Sequence, residues 1–415
     1  MKHRSLEEPA RRALPVIDLS GRAFWDDPAS ALTEARRRSD LARTPGGQLL
    51  VLSYREVERL LADPTMVTVG RHLLDGIGIR EGPLADWWRL VMFNTNPPEH
   101  TRLRSLVSRA FTPNRTERLR PSIRNLAEEL CEGIAQRGAA DFVEAFAHHL
   151  PIRVICSLLG LPREEWDAIA GWTASVGSVF ATRMTDERRV TIEGDLVALQ
   201  NRLHHHIEQR RVTPHDDLLA DLVSVRDQGD QLSSNELVAM AVNLLFAGHD
   251  TTRGFLSIGL ATLLAHPAAM AELVEHPALI PAAVEELLRF EAPTLGSLRA
   301  AQTEREIAGV PVRAGEPINL LAIAANRDPA AFDDPDRFDI HRRGPRSLSF
   351  GLGVHFCLGA ALARAEAEES LSVVLERFAS IRLALPAGES PTFVPFATIR
   401  QIHSLPIEVT ARTSA

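Results

Sequence analysis

The stretch FGLGVHFCLG, Phe350 to Gly359, places one of only three cysteines in the chain among three glycines. A cysteine does chemistry as its thiolate, which is the form that attacks substrates and binds metals. Glycines on both sides of Cys357 let the backbone come very close to whatever the sulfur contacts. Backbone N–H groups in so tight a turn can also point at a thiolate and stabilise its charge. The pattern therefore indicates a chemical role for the sulfur of Cys357.

Two interpretations of Cys357 stay open on these grounds. A lone cysteine cannot make a tetrahedral zinc site without nearby His or Cys partners, but it can be the single protein ligand of a haem iron, since the porphyrin supplies four others. The alternative is a small buried hydrophobic residue in a glycine turn. That second interpretation is the one we give to Cys131 and Cys156, which lie inside ordinary helical patterns.

A second set of polar side chains lies at the centre of an apolar segment. Residues 233–267 start with a capping box, Ser233 to Glu236, and stop at Pro267. They are apolar on nearly every face, which predicts a long helix through the core. Its middle, Ala247–Thr252, reads AGHDTT, although Gly costs about 1 kcal/mol relative to Ala in a helix and Asp and Thr compete for backbone hydrogen bonds. The sequence predicts either a role other than stability or a polar kink satisfied by its neighbours.

Two charged patterns are weaker signals when taken alone. Glu286 and Arg289 are three residues apart on one predicted helix face, a spacing that contributes little when it is exposed. His100 and Arg104 share a face of a helix that Asn96 would cap, and two such donors suit one carboxylate or phosphate. The alternative for the second pair is a solvated basic face.

The composition bounds the class of protein. The 415 residues are 45% hydrophobic and 24% charged, as in a globular protein with a large core. A net charge of −8 argues against wholesale nucleic-acid binding. The N-terminal residues MKHRSLEEPARRALP contain no apolar stretch, so no secretory signal is predicted, and no apolar run is long enough to span a membrane. Three widely spaced cysteines argue against a disulfide framework and predict a reducing, cytoplasmic location.

The elements that must position these residues are mostly helices. A proline-started helix is predicted after Asp27, and another after a capping box at Ser53–Glu56. Further helices are predicted over 97–111, 114–136, 162–180, 187–211, 233–265, 279–290 and 358–378. Strands are predicted over 48–52, 305–312, 316–320, 380–385 and 405–410. The fold class is mainly α with a small β portion, as a single domain over 1–415 in which residues 1–20 form a flexible arm.

Five stretches together resemble the cytochrome P450 family, and they occur in its order along nearly the whole chain. FGLGVHFCLG is similar to the haem-ligand loop at every defining position, and AGHDTT to the oxygen-activating motif of the long central helix. The other three matching stretches are EELLR (Glu285–Arg289), PDRF (Pro335–Phe338) and NPPEHTRLR (96–104). The N-terminus resembles the bacterial type rather than the membrane-anchored type. The resemblance implies the P450 fold, with a haem between the central helix and the cysteine loop.

The resemblance also implies the role of each matching residue. Cys357 would be the axial thiolate of haem b. The loop would fit the porphyrin through Phe350, Gly351 and Gly359, and the haem propionates would meet His100, Arg104, Arg299 and His355. A buried structural ion network would join Glu286, Arg289 and Arg337. Asp250 and Thr251 would be the acid–alcohol pair, in which the hydroxyl binds oxygen or a water and the acid connects it to solvent protons. The role of Thr252 is not assigned.

The implied activity is that of a haem-thiolate monooxygenase, which uses O₂ to hydroxylate or epoxidise a hydrophobic small molecule such as a polyketide, terpenoid or steroid-like natural product. The pocket would be lined by Trp88, Asn243, Phe246, Ala247, Thr294 and Leu295, with a late turn at 397–402. The chain has no flavin or iron–sulfur motif, so electrons would come from an external ferredoxin-type partner. Two basic islands would attract it, one between Arg337 and Arg364 and one between Glu99 and Arg120. The alternatives are a catalytically silent haem-binding sensor or carrier of the same fold and a helical scaffold without cofactor.

Overall fold

The computed structural model describes residues 11–108, 111, 113–180, 184–213, 215–227, 232–386, 388–394 and 398–412. Its helices, in chain order, are α1 (Arg22–Asp26), α2 (Pro28–Arg38), α3 (Tyr54–Ala62), α4 (Leu73–Gly76), α5 (Pro83–Leu90), α6 (Glu99–Ser108), α7 (Pro113–Arg137), α8 (His149–Leu158), α9 (Trp166–Gly177), α10 (Asp186–Val212), α11 (Leu218–Asp227), α12 (Ser234–Ala265), α13 (Pro267–Glu275), α14 (Ile280–Phe290), α15 (Ala322–Ala325) and α16 (Ala360–Arg377). Its strands are β1 (Leu41–Arg43), β2 (Leu49–Val51), β3 (Met66–Val67), β4 (Ala139–Asp141), β5 (Ser297–Ala301), β6 (Arg305–Ile307), β7 (Val310–Val312), β8 (Pro317–Leu320), β9 (Phe378–Leu383) and β10 (Pro406–Ala411).

The predicted fold class, mainly α with few strands, is confirmed, and every predicted helix is present. Seven helices of the described residues were not predicted: α1, α4, α5, α8, α11, α13 and α15. Helix α13 shows why, because Pro267 was interpreted only as the end of the long helix, whereas it is also the first residue of the next one. The predicted strand over 305–312 is a hairpin instead, since Ala308 and Gly309 take positive φ values of 45° and 79° and turn the chain between β6 and β7.

The chain divides into two compact units. The first comprises Met1–Gly70, Ala282–Cys357 and Thr392–Arg400, and the second comprises Arg71–Pro281, Leu358–Pro391 and Gln401–Ala415. This division describes packing only, so the single-domain organisation stays a prediction.

The first unit is built on a five-stranded sheet in the order β1-β2-β8-β5-β3, with the β6–β7 hairpin beside it in sequence. Strand β2 shows why the sheet has a core on both faces. Leu49 and Val51 join one buried cluster, while Leu50 and Leu52 join another, because successive strand residues point to opposite faces.

Two expectations about this unit are corrected. The capping box predicted at Ser53 does not form: the N–H of Tyr54 donates to the carboxylate of Asp328 at 2.7 Å, and Glu56 binds Arg59 instead. The predicted flexible arm is partly packed, since Ile17 is buried, its N–H donates to the carbonyl of Arg43, and Arg11 binds Glu316. Residues 1–10 of that arm lie outside the described residues.

The second unit is helical, with a three-stranded sheet in the order β4-β10-β9. Its longest helix is α12, which begins with the predicted capping box: the hydroxyl of Ser233 accepts from the N–H of Glu236, and the Glu236 carboxylate accepts from the N–H of Ser233. Helices α8, α9, α10 and α16 pack around α12. The prediction of a long helix through a core is confirmed.

By length and apolar composition, no single helix in the described part of the chain could cross a bilayer. The pair α12 and α13 reaches that threshold only when taken together, and the two are bent by 102° at His266.

Candidate active site

The cysteine loop owes its path to two glycines. Gly351 and Gly353 both take a φ of 67°, a left-handed conformation that side chains disfavour. A side chain on Gly353 would also lie 2.7 Å from the carbonyl oxygen of Leu61 in α3. Residues Gly353–His355 form one 3₁₀ turn, after which the N–H of Cys357 donates to the carbonyl of Phe350 at 2.9 Å. The loop therefore closes on itself and presents the cysteine at its end.

The three cysteines differ in a way that separates their roles. Cys131 and Cys156 are fully buried, and burial raises the pKa of the Cys131 thiol to about 12 and that of the Cys156 thiol further. Our interpretation of these two as small core residues is confirmed. Cys357 is exposed. Of the three sulfurs, Cys357 is the one that a cofactor can reach.

Two features of the first unit suit a haem. Gly353, Val354 and Cys357 are exposed in the first unit, so one side of the loop is open. Arg299 in β5 is buried, and the one hydrogen bond that its guanidinium makes in the described part of the chain goes to the carbonyl of Leu298. Because no carboxylate offsets its desolvation, the pKa of Arg299 falls to about 10. A buried cation of this kind suits an anionic group of a ligand, such as a propionate.

The buried ion network lies in the same unit, with one residue changed from the prediction. Both carboxylate oxygens of Glu286 accept from Arg289 at 2.7 Å, and Arg289 also donates to the carbonyls of Asn326 and Pro335. The prediction that Arg337 completes the network is wrong. Its side chain is 63% exposed and binds Asp334 and Asp339.

The second cation of the network is Arg342. Its Nε donates to Glu286 at 3.1 Å, and its guanidinium also binds the carbonyls of Asp333, Asp334 and Arg337. Arg337 therefore contributes its main chain rather than its charge. The signal for Arg342 was present in the sequence as the basic run after PDRF, but nothing in that run distinguishes one arginine from the next.

The centre of α12 is the one place where this buried helix opens. Between Leu237 and Leu260, the residues that are not buried are Ala247, Gly248, Thr251 and Arg253. Ala247 is exposed, and the Thr251 hydroxyl donates to its carbonyl at 2.9 Å. The opening places the predicted alcohol where a small molecule can reach it.

The predicted acid lies on another face of the same helix. Asp250 is buried, and burial raises the pKa of its carboxyl to about 6, although Arg253 acts in the opposite direction. The nearest side-chain partner is Nδ1 of His249, 3.5 Å from Oδ1. Adjacent helical residues point about 100° apart, so Asp250 and Thr251 do not face each other directly. The acid is held where it keeps its proton to a higher pH than an exposed aspartate does.

His249 is a buried residue for which the sequence predicted no role. Its Nε2 lies 3.0 Å from the carbonyl of His148, and an accepting carbonyl requires that this nitrogen carry the proton. Nδ1 is then a bare acceptor beside Asp250. Burial lowers the pKa of His249 to about 3, so the ring is neutral. The neutral ring adds no charge beside the acid.

The other predicted site residues are distributed over both units. His100 is buried and Arg104 half-buried on α6, His355 and Phe350 are half-buried in the cysteine loop, and Gly359 caps α16. Of the predicted pocket residues, Trp88, Asn243, Phe246 and Leu295 are buried, Thr294 is half-buried and Ala247 is exposed. Residue 397 of the predicted late turn lies outside the described residues.

Several arginines of the two basic islands predicted to attract a redox partner bind acidic groups of the protein itself. Arg342 is committed to Glu286, and three arginines of the other island bind acids of the protein itself: Arg102 with Glu236, Arg115 with Asp221, and Arg120 with Glu368 and Glu369. Arg343 and Arg346, close before the cysteine loop, are exposed. The island between Arg337 and Arg364 therefore offers fewer arginines to a partner than their number in the sequence suggested.

Comparison with known proteins gives one family. Residues 182–389 match the family model described as cytochrome P450. A luteothin monooxygenase of Streptomyces thioluteus is 37% identical over 374 residues, which are 89% of this chain and 91% of that one. A mycinamicin IV hydroxylase/epoxidase of Micromonospora griseorubida is 38% identical over 395 residues, covering 90% of this chain and 93% of that one. The crystal structure of CalO2 superposes with a TM-score of 0.90 at 30% identity, over 95% of this chain and 99% of that chain.

Proposed function

Because the chain belongs to the cytochrome P450 family, we infer that it is a haem-thiolate monooxygenase that hydroxylates or epoxidises a hydrophobic small molecule with one atom of O₂. The observation that carries this function is the exposed Cys357 at the end of a loop whose shape two left-handed glycines determine. We also propose that residues 1–415 act as one P450 domain.

We propose that haem b is held by the residues that the family resemblance implies. Cys357 would be the axial ligand, with Phe350, Gly351 and Gly359 forming the loop around it. The propionates would be bound by His100, Arg104, Arg299 and His355. The desolvated guanidinium of Arg299 supports its assignment, because an anion would restore the interactions that burial removes. The bound haem would supply the redox chemistry of oxygen activation, with the thiolate pushing electron density to favour O–O cleavage.

Proton supply is the task of the central helix. The Asp250 carboxyl, with its pKa raised to about 6, exists in both protonation states near neutral pH and can therefore give up and regain a proton. The Thr251 hydroxyl lies at the opening of α12 and would bind oxygen or a water there. Its own bond to the Ala247 carbonyl orients it, since the proton it donates to that carbonyl leaves its lone pairs for a second donor.

We propose that electrons come from a separate ferredoxin-type protein. The exposed arginines Arg343 and Arg346 would meet its acidic surface, and such pairing mainly changes the rate of association and its salt dependence. The charge reversals Arg343→Glu and Arg346→Glu should slow reduction by an acidic ferredoxin at low salt, and the difference from wild type should shrink as salt is added. Equal rates at low salt would remove these two residues from the docking surface.

A natural product is the substrate class that the relatives support. Two of them are described as a luteothin monooxygenase and a mycinamicin IV hydroxylase/epoxidase. The buried predicted pocket residues include Trp88, Phe246 and Leu295, which would favour an apolar ligand. A library of polyketides and terpenoids, screened for the spectral shift that follows displacement of water from haem iron, would identify the binding class.

The experiment that tests the reaction class is the spectrum of the reduced, carbon-monoxide-treated protein. Wild type should show the red-shifted absorption of a thiolate-ligated haem, and Cys357→Ser should lose it. Cys131→Ala is the matched control, because that cysteine is buried and its thiol is held protonated. A thiolate-type spectrum in Cys357→Ser would overturn the assignment. Thr251→Ala should release peroxide in place of product, which a silent haem carrier would not do in either form.

A further inference from the structure

The last residue of α9, Gly177, faces the acid of α12. A side chain on Gly177 would overlap Oδ2 of Asp250, closer than any nonbonded contact allows, and would lie 3.2 Å from the ring of Phe246. The Oδ2 atom of Asp250 therefore lies where the side chain of any other residue at position 177 would be. We call this space, bounded by Gly177 and Phe246, the acid niche.

The backbone gives no other reason for a glycine at this position. Gly177 is absent from the glycines of the chain that take a positive φ, and it ends an α-helix. Its backbone conformation is open to any residue, so a reason for glycine at this position has to be sought in what surrounds it. The acid niche supplies that reason, since Asp250 lies 73 residues further along the chain and could not enter it past a methyl group.

The carboxyl in the niche has little else to hold it. In the part of the chain that the structure describes, its nearest charged or titratable side chain is His249, at 3.5 Å from Oδ1. Arg253 on α12 is the charged group that acts on the carboxyl itself. His148, which follows the π-helical turn Val143–Ala147, and His149 on α8 act on the adjacent ring of His249. Glu144 and Asp167 act in turn on those two histidines. With so few hydrogen bonds to the acid, steric fit decides where it lies.

On the basis of the function proposed above, we propose that Gly177 is a positioning residue for proton delivery: its missing side chain forms the niche that keeps the Asp250 carboxyl buried. A methyl group at 177 would turn the carboxyl out of the niche. Outside it, the carboxyl would regain water and titrate as an ordinary aspartate, so that it would lose its proton at a lower pH than it does in the niche.

The test compares two Gly→Ala changes on the same helix. Gly177→Ala fills the niche, whereas Gly171→Ala is the matched control, because nothing lies within 4 Å of a side chain there. The readout is the infrared carboxyl band of protonated Asp250 in the holoenzyme, identified by its loss in Asp250→Asn and followed against pH. In Gly177→Ala its midpoint should fall by one pH unit or more, a tenfold change in proton affinity, while Gly171→Ala keeps the wild-type midpoint.

A double variant distinguishes an effect of Gly177→Ala on the Asp250 carboxyl from an effect on the ring of Phe246. If Gly177 acts through Asp250, the peroxide released per electron pair should rise in Gly177→Ala but should not rise further when Gly177→Ala is added to Asp250→Asn. If Gly177→Ala fails to fold, Gly177→Ala/Asp250→Ala should fold, because the clashing carboxyl is gone. An unchanged carboxyl midpoint, an additive effect on peroxide, or a double variant that stays unfolded would each overturn the proposal.

The carboxyl titration does not depend on turnover. If wild type lacks the thiolate-type spectrum, the proposed monooxygenase function is refuted, but the infrared result on the Asp250 carboxyl still stands. An unshifted carboxyl band in a protein with a normal thiolate spectrum would refute the role of Gly177 alone.

Discussion

Replacing Asp250 by asparagine should make the stability of the protein less dependent on pH. The carboxyl is buried in the folded chain with a pKa of about 6, against a model value of 3.8. A raised pKa means that the folded state holds its proton more tightly than the unfolded state does. The stability contributed by that proton is fully present below the unfolded pKa of 3.8, and it is lost as the pH rises through about 6.

The size of the effect follows from the two pKa values. One pKa unit corresponds to about 1.4 kcal/mol, so a difference of about two units makes the full loss about 3 kcal/mol between strongly acidic and alkaline pH. Between pH 5 and pH 8, where the protein can be handled, linkage leaves about 1.4 kcal/mol of that difference. Asparagine does not titrate, so Asp250→Asn should gain stability over wild type by this amount as the pH is raised from 5 to 8.

Urea unfolding of the holoenzyme at pH 5, 6, 7 and 8 measures this difference. The diagnostic quantity is the change with pH in the gap between variant and wild type, because the constant part also contains the packing of the new amide. Asp216→Asn, which removes an exposed carboxyl of the same unit, is the control for the loss of one charge. A gap that stays constant from pH 5 to pH 8, or one that closes towards pH 8, would refute the assignment of a raised pKa to Asp250.

Three further predictions concern the first unit. Arg342→Ala should lower the free energy of unfolding by about 2–4 kcal/mol, whereas Arg337→Ala should cost less than about 1 kcal/mol. Arg299→Leu should leave the apoprotein at least as stable, because it removes a desolvated cation, and should speed haem loss to apomyoglobin about 10- to 100-fold. Asp328→Ala should cost about 1–3 kcal/mol, and Ser53→Ala close to nothing, since only the former caps α3.

Each of these pairs contains its own control. Equal costs for Arg342→Ala and Arg337→Ala in urea unfolding would contradict the buried position of the first guanidinium. A destabilised Arg299→Leu apoprotein would show that this arginine has a structural partner, and an unchanged rate of haem transfer would remove it from the propionate site. A larger cost at Ser53 than at Asp328 would restore the capping box that the structure replaces.

Helices with strong local signals could be predicted from the sequence. The start of α12 is determined by Ser233 and Glu236, three residues apart, and its continuation by an apolar run, so no distant contact is needed to locate it. The same local pattern at Ser53 and Glu56 was misleading, because Asp328 reaches the helix start from far along the chain and accepts from the N–H of Tyr54, while the Ser53 hydroxyl makes no cap hydrogen bond. A capping pattern predicts where a helix starts more reliably than it predicts which atom caps it.

The members of the ion network show the same limit for charges. Glu286 and Arg289 lie on one turn of α14, so their spacing alone predicts that they can meet. The third member comes from an irregular segment that contains five arginines between positions 327 and 346. There the backbone path decides which guanidinium turns inward: the segment offers its carbonyls at Asp333, Asp334 and Arg337 to Arg342. An irregular segment has no period from which such a choice could be predicted.

The two glycines that matter most for the candidate site illustrate why its positioning residues were harder to find than its reactive ones. Gly353 lies in a motif, and its left-handed φ and its approach to Leu61 explain both its place and its identity. Gly177 lies in no motif, and unlike the exposed Gly171 of the same helix it is buried with an acid opposite. Reactive groups are chosen for their chemistry and can be recognised one residue at a time. An empty space is a property of two elements at once, so Gly177 acquires a role only when α9 and the acid of α12 are seen together.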